Sequence, residues 1–292
     1  MCAIVGWSGD LPKGTLSLLL IESEARGIDS TGIAFKDSEK RAVCYRQAAP
    51  AHVFLRTNQK HVAQARHSAI GIAHTRRASR GMPVDGINAH PFAFWKLFFA
   101  HNGFVSNWKP LASQLIARAN DATPTDDAGK KRVAFELKYA KAITTDSMVL
   151  GPFIETRDFS HIAGSLGLVW MSLHGVWAMH AKKELVGAKI IWNYKKDPSK
   201  IRALTVVGST IKIISDALAK TPDIEYDLQP VELVEGTVYK LTPTDIVEDG
   251  EAQLSAELAA DEFTSANVLG GNVGEQLVLD AVKQLDAEEF ES

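Results

Sequence analysis

The chain opens with Met1-Cys2-Ala3-Ile4-Val5-Gly6, and the cysteine at the second position is the feature that most constrains what it can be. If Met1 is removed, Cys2 carries both a nucleophilic thiol and a free α-amine. An unperturbed α-amine has a pKa near ~7.7–8.0, so part of it is an unprotonated base at neutral pH. An adjacent base is one way to activate a weak nucleophile. The alternative is a small buried residue that opens an apolar strand, a common role of cysteine.

Five polar segments follow Cys2 in order along the chain. They are Arg26-Gly27-Ile28-Asp29-Ser30-Thr31-Gly32, Ala73-His74-Thr75-Arg76-Arg77-Ala78-Ser79, Asn88-Ala89-His90-Pro91, His101-Asn102-Gly103 and Thr145-Asp146-Ser147. With Cys2, the set resembles the glutaminase domain of class II glutamine amidotransferases, which are N-terminal-nucleophile (Ntn) hydrolases. Familiar members are the glutaminase halves of glucosamine-6-phosphate synthase and amidophosphoribosyltransferase. The resemblance covers roughly residues 2–245. One segment such as His-Asn-Gly occurs by chance, whereas the whole ordered set is specific.

The resemblance implies a role for each of these residues. Cys2 Sγ attacks the glutamine amide carbon to form a γ-glutamyl thioester, and its own α-amine carries the proton to the departing ammonia. The side chain of Asn102 and the backbone N–H of Gly103 form the oxyanion hole, where donors stabilise charge as it develops. Taken without the other motifs, Asn102-Gly103 would instead be a tight turn, because Asn-Gly is a favoured turn pair.

Arg76 is expected to pair with the α-carboxylate of glutamine, since a guanidinium suits bidentate carboxylate binding. Asp146 is expected to hold the α-ammonium. An ordinary surface charge remains the alternative for both. Five residues of the same motifs are expected to support the pocket, with a purely structural role open for the first two: Arg26, Asp29, His74, Thr75 and His101.

Two features depart from the family pattern. Arg77 stands where the family often has an aromatic residue, so the loop edge over the glutamine site is expected to differ. The stretch between Gly103 and Asp146 is longer than usual because of an expected surface loop over 120–129. Neither change removes a catalytic group.

The apolar pattern indicates strands distributed along the chain, with helices between the early ones. Strands are predicted at 2–7, 31–35, 42–45, 69–75, 97–100, 162–171, 176–181, 187–193, 203–207 and 236–241, and helices at 14–26, 53–65, 108–119, 131–143 and 210–219. This pattern suits stacked sheets covered by helices, an α+β class. The resemblance adds the specific expectation, the four-layer αββα sandwich of the Ntn hydrolases.

Charge separates the chain into two parts. Residues 250–292 contain ten acidic residues and one basic residue, and since the chain carries −3 overall, residues 1–249 carry +6. We therefore expect an amidotransferase domain over 1–249 and an acidic, partly helical tail over 250–292. The positive surplus of the body leaves direct nucleic-acid binding open but is far from a dense basic patch.

The composition of the chain indicates where the protein is located and which cofactors it is expected to bind. No apolar run reaches the ~18 residues of a spanning helix, so no membrane partner is expected. The short run 16–21 lacks the marks of a secretory signal. Cys2 and Cys44 form no Cys-x-x-Cys pair, which favours a reducing cytoplasm. Cys44 is interpreted as a strand cysteine. No metal is expected, because no His, Cys and carboxylate cluster has zinc-like spacing, and no other cofactor is implied.

The expected function is that of a glutaminase that takes L-glutamine and supplies ammonia. The tail offers no room for a fused synthase, so the acceptor is expected to be a separate synthase. Two alternatives stay open: a hydrolase of another γ-glutamyl amide on the same site, and a non-catalytic assembly subunit that keeps the fold. The intact set of Cys2, Arg76, Asn102, Gly103 and Asp146 argues against the last of these.

Overall fold

A computed structural model of the chain describes residues 2–77 and 88–259. The strands are β1 Ala3–Gly9, β2 Ser30–Lys36, β3 Ala42–Gln47, β4 Ile70–Arg76, β5 Phe92–Phe94, β6 Leu97–Val105, β7 Asp158–Phe159, β8 Gly164–Ser172, β9 Gly175–Ala181, β10 Val186–Tyr194, β11 Asp197–Gly208, β12 Ile224–Glu232, β13 Thr237–Leu241, β14 Ile246–Glu251 and β15 Gln253–Leu254. The helices are α1 Thr15–Ser23, α2 Ala51–Thr57, α3 Gln59–Arg66, α4 Trp108–Asp121, α5 Asp127–Lys141, a 3₁₀ helix Asp146–Leu150, α6 Gly151–Thr156, α7 Ile211–Lys220 and α8 Ala256–Ala259.

Two large sheets form the centre of the fold. The first has seven strands in the order β12-β10-β11-β1-β4-β2-β3, and the second has six in the order β14-β13-β9-β8-β6-β5. Neighbouring strands are antiparallel throughout both sheets. β1 lies in the middle of the first sheet and all seven of its residues are buried. A strand buried on both faces explains why its sequence is apolar without alternation.

Three apolar clusters fill three interfaces. One joins α1, α2, α3 and α7 to the outer face of the first sheet, with Trp7, Leu19 and Phe54 among its members. A second joins α4, α5 and α6 to the outer face of the second sheet. The third lies between the sheets and includes Ile4 and Val169. Helices, sheet, sheet and helices are therefore stacked in four layers, and the predicted αββα architecture is confirmed.

Some element bounds differ from the sequence prediction. The single helix expected over 53–65 is two helices, because Asn58 leaves the helical conformation and its side chain donates to the carbonyl of Phe54 at 3.1 Å. Local hydrogen bonds of this kind compete with the helix backbone. The loop expected over 120–129 is shorter, since α5 begins at Asp127 and Asp126 caps it by accepting from the Gly129 N–H. Strands β5, β7, β12, β14 and β15 were not predicted.

The first residues of the acidic tail pack on the domain. β15 pairs in parallel with β7, and Leu258 on α8 is fully buried. The Ala252 N–H donates to the Gly236 carbonyl at 2.8 Å. Residues 260–292 of the predicted acidic, partly helical tail lie outside the described residues, and the boundary at 249/250 stays a prediction. None of the helices within 2–77 and 88–259 is long and apolar enough to cross a membrane.

Candidate active site

Side-chain alternation decides which residues face the gap between the two sheets. On β1, Ala3 faces the helices and Ile4 faces the gap, so Cys2 has the orientation of Ile4. On β6, Ala100 faces the gap, which gives Asn102 the same orientation. Cys2 and Asn102 are thus directed into one layer from opposite sheets.

The same alternation applies to β4, which pairs with β1. Ile72 faces the gap, so His74 and Arg76 are directed toward it. Thr75 faces the other way, and its hydroxyl donates to the Ser23 carbonyl at the end of α1 at 2.9 Å. No hydrogen bond or ion pair joins the Arg76 guanidinium to any described residue. Ala78 and Ser79, which follow it in the motif, lie outside the described residues.

The Cys2 thiol lies beside the backbone that follows β4. Its Sγ is 3.7 Å from the Arg77 carbonyl oxygen, and its own carbonyl accepts from Arg26 Nε at 3.0 Å. Burial raises the pKa of the Cys2 thiol, and the Arg77 backbone together with the charges of Arg76 and Arg26 opposes this rise. Since burial is the largest of these effects, the resting thiol is protonated and needs a base to become a nucleophile.

Asn102 is held in place by a residue from the first sheet. Its Nδ2 lies 3.4 Å from Ser209 Oγ, directly after β11. The same oxygen accepts from the Ile4 N–H at 2.9 Å, and the Ser209 N–H donates to the Ile4 carbonyl at 3.1 Å. Ser209 therefore connects the Asn102 amide to the strand that begins after Cys2.

Gly103 occupies a position that only glycine can fill. Its φ of +147° lies in a region that side chains rarely adopt, and a Cβ there would come 2.0 Å from the Ser165 carbonyl oxygen. Asn102 and Gly103 lie inside β6, paired with Gly167 and Leu166 of β8. The tight-turn alternative for this pair is therefore wrong.

The segment Thr145-Asp146-Ser147 is attached to the end of β6. Asp146 Oδ2 accepts from the Val105 N–H at 3.0 Å. His101 Nε2 lies 3.1 Å from the Ser165 carbonyl, so Nε2 carries the proton and Nδ1 accepts from the Ser147 hydroxyl at 2.9 Å. Burial lowers the pKa of His101, and the Asp146 charge opposes this shift. Burial is the larger effect, so the imidazole is neutral. His101 thus supports the strand from the side of the outer helices.

Arg26 and Asp29 belong to a turn that lies against the backbone of Arg76. The Asp29 N–H donates to the Arg76 carbonyl at 2.9 Å. A Cβ on Gly27 would come 2.4 Å from the carbonyl carbon of Arg76, so the turn could not approach so closely with any other residue. The segment supports both the Cys2 carbonyl and the end of β4.

His74 forms a buried pair with His90. Their ring centroids are 4.2 Å apart, and burial lowers the pKa of His74 to about 3. Burial also lowers the pKa of His90 well below its usual value. Both rings are therefore neutral at physiological pH. Their role is packing, and neither ring acts as a proton carrier.

Cys44 does not belong to this site. It lies on β3, its Sγ is 3.6 Å from the Pro91 carbonyl, and burial raises the pKa of its thiol to about 11. Its interpretation as a strand cysteine agrees with this position.

Two residues near the site were missed at the sequence level. Ser209 precedes Thr210, the N-cap of α7, so its sequence context indicates only a helix start. Lys183 lies in a Lys-Lys-Glu run typical of a solvated surface. Its Cγ is 3.4 Å from where a Cβ of Gly167 would stand, beside Asn102, and its positive charge favours the thiolate form of Cys2. Burial lowers the pKa of Lys183. No motif contains either residue.

Comparison with known proteins identifies relatives over part of the chain. Glutamine–fructose-6-phosphate aminotransferase (isomerizing) of Yersinia pseudotuberculosis is 37% identical over 122 residues, and that of Escherichia coli K12 is 34% identical over 122 residues. The match covers 40% of this chain and 19% of each relative, so the chain matches about a fifth of their length. No protein-family model matches the chain.

A solved structure shares the fold. Glutamine phosphoribosylpyrophosphate amidotransferase from B. subtilis, complexed with ADP and GMP, superposes with a TM-score of 0.54 over 86% of this chain and 49% of that chain. Its sequence identity is 14%, so the likeness concerns the fold alone. Together with the sequence relatives, it confirms the predicted similarity to class II glutamine amidotransferases and to their four-layer fold.

Proposed function

We propose that the chain hydrolyses the side-chain amide of L-glutamine through a thioester on Cys2 and supplies the ammonia to a synthase. The observation that carries the proposal is the placement of Cys2 and Asn102 in one layer from opposite sheets, with Ser209 linking Asn102 to β1. A nucleophile and a fixed N–H donor on two rigid strands are what acyl transfer requires. The sequence relatives, which are named as glutamine-dependent aminotransferases, support the choice of amide.

The chemistry begins with the protonated Cys2 thiol. Its α-amine takes the proton, Sγ attacks the amide carbon, and negative charge develops on the amide oxygen. Asn102 Nδ2 and the Gly103 N–H donate to that oxygen. The amine then returns the proton to the departing nitrogen, which leaves as ammonia, and water hydrolyses the thioester to glutamate.

Two charges hold the part of glutamine that does not react. The Arg76 guanidinium binds the α-carboxylate and Asp146 binds the α-ammonium. The Asp146 carboxylate already accepts from the Val105 N–H through Oδ2, so it is anchored to the strand that carries Asn102 and Gly103. The group that binds the α-ammonium is therefore bonded to the strand that carries the oxyanion donors, whereas Arg76 comes from β4 of the other sheet.

Steady-state glutaminase kinetics test whether Arg76 and Asp146 bind the head group of glutamine while Asn102 stabilises the oxyanion. Arg76→Ala and Asp146→Asn are expected to raise KM with a smaller change in kcat, because each removes a contact to a group that does not react. Asn102→Ala is expected to lower kcat by ~10²–10³ with little change in KM. Asp146→Asn keeps an oxygen for the Val105 N–H, and Arg56→Ala, on an exposed position of α2, is the matched control for the loss of an arginine.

The following results would contradict the proposed site or parts of the proposed mechanism. If Asn102→Ala changed only KM, or if the two head-group variants used glutamine normally, the proposed site would be wrong. Turnover of a different γ-glutamyl amide in place of glutamine would favour the alternative hydrolase. Retention of Met1 in fully active protein, read from intact mass, would exclude the α-amine of Cys2 as the base.

We further propose that the ammonia acceptor is a separate synthase. The glutaminase rate of the chain is expected to rise when its synthase partner and acceptor substrate are present. Assays with candidate synthases, scored by transfer of the glutamine amide nitrogen to product, test this. Unchanged hydrolysis with every candidate, with glutamate and free ammonia as the sole products, would favour a hydrolase that acts alone.

A further inference from the structure

The end of β1 remote from Cys2 borders a cavity that lies outside the candidate active site. It has a volume of about 470 Å³. Its lining consists of Gly9, Asp10, Leu11 and Lys13 at the end of β1, of Arg66, His67 and Ser68, and of side chains of β10 and β11. At ~3.3 Å per residue, the seven residues of β1 place it roughly 23 Å from the thiol. This volume is within the ~300–1,000 Å³ typical of small-molecule sites.

Hydrogen bonds hold the walls of this cavity in place. Trp192 Nε1 donates to the Asp10 carbonyl at 2.9 Å, and the Lys13 N–H donates to the Tyr194 hydroxyl at 3.2 Å. The Asp10 N–H donates to the Ala203 carbonyl at 3.1 Å. The loop after β1 is therefore fastened to two neighbouring aromatic side chains and to β11, so the cavity exists before any ligand binds.

An arginine covers the aromatic wall. The guanidinium carbon of Arg202 is 4.9 Å from the Trp192 ring centroid and 5.2 Å from that of Tyr194. Its Nη1 donates to the Lys200 carbonyl at 3.3 Å, and the other guanidinium N–H groups can donate to further partners. This arrangement offers a flat cationic surface to a ligand.

The charges of the lining are mainly positive. Lys13, Arg66 and Arg202 line the cavity together with His67, and Asp10 supplies the one carboxylate among these lining residues. A concave site with one predominant sign of charge concentrates ions of the opposite sign. An inorganic anion would fill little of the volume, so the ligand needs an organic body besides its charge.

We propose that this cavity binds a flat organic phosphate of mononucleotide size. The ring stacks on the Arg202 guanidinium, and the phosphate lies against Lys13 and Arg66. The site is separate from the Cys2 layer and does not depend on glutamine hydrolysis.

Calorimetric titration of the full chain with adenosine 5′-monophosphate tests the proposal. The nucleotide is expected to bind at least ~10-fold more tightly than adenosine or inorganic phosphate, because each of these lacks one of the two contacts. Arg202→Gln removes the stacking contact and Lys13→Gln removes a charge-assisted hydrogen bond to the phosphate, and each is expected to weaken binding by roughly 10-fold. Lys200→Gln, an exposed residue of β11 outside the lining, is the matched control.

Several outcomes decide against the site. Absence of nucleotide binding, equal binding of inorganic phosphate alone, or unchanged affinity in both variants would overturn it. Lys13→Gln leaves the backbone bond to Tyr194 intact, so this variant remains informative if Arg202→Gln fails to fold. Cys2→Ala is expected to bind the nucleotide as the unaltered chain does, and loss of binding there would place the ligand in the other site.

Discussion

Replacement of Ser209 by alanine is expected to affect stability and turnover separately. Ser209 is 1% exposed, and its Oγ accepts from the N–H of Ile4, which is fully buried. Ser209→Ala leaves that N–H without a partner and adds no compensating contact. A buried donor without its acceptor costs about 1–3 kcal/mol, so we expect a loss of this size in the free energy of unfolding.

The effect on turnover follows from the second contact of the same oxygen. Asn102 Nδ2 lies 3.4 Å from Ser209 Oγ, at the long end of hydrogen-bond distances. The variant keeps the Asn102 donor but no longer orients it. We therefore expect kcat to fall by roughly 10-fold, less than the ~10²–10³ for outright removal of an oxyanion donor. KM for glutamine is expected to stay unchanged, because the head-group contacts come from Arg76 and Asp146.

Urea unfolding and steady-state kinetics measure the two effects. Ser30→Ala is the control for stability, because the Ser30 hydroxyl is also buried but has no hydrogen-bond partner among the described residues. Its removal is expected to cost little. If Ser209→Ala were no more destabilising than Ser30→Ala, or if its kcat equalled that of the unaltered chain, the link between β1 and Asn102 would not have the role assigned here.

Two further predictions follow from the buried groups. An electrophilic glutamine analogue is expected to label Cys2 and not Cys44, because burial raises the pKa of the Cys44 thiol to about 11. Peptide mapping locates the label, and label on Cys44 would contradict the assignment. Because burial lowers the pKa of His74 from 6.5 to about 3, the unfolded chain binds more protons than the folded one between these values, so stability is expected to fall as the pH drops through that window. His74→Gln should reduce this slope in urea unfolding at stepwise lower pH, and an identical slope would show that His74 is not responsible.

Local apolar patterns predicted the individual strands and helices, whereas the four-layer αββα arrangement was predicted from the resemblance to the Ntn hydrolases. Apolar segments such as β1 and β8 were recognised because strands buried on both faces are apolar throughout. β12 was missed although Ile224 to Gln229 alternate between apolar and polar residues, because Pro230 interrupts the run and six of the nine residues are exposed. Its strand conformation comes from pairing with β10, a partner that local composition does not reveal.

Sequence alone identified the polar motifs of the candidate site, from Cys2 to Asp146, because their residue types and order are readable along the chain. The period of two in a strand then determines that Cys2 and Asn102 face the same layer, once the strands are known. Tertiary structure decided what lies beside them. Ser209 and Lys183 reach the site through contacts that cross long stretches of chain, as in the 107 residues between Asn102 and Ser209. Such contacts arise from sheet pairing and layer packing, and a hydroxyl at a helix start or a lysine in a charged run carries no local sign of them.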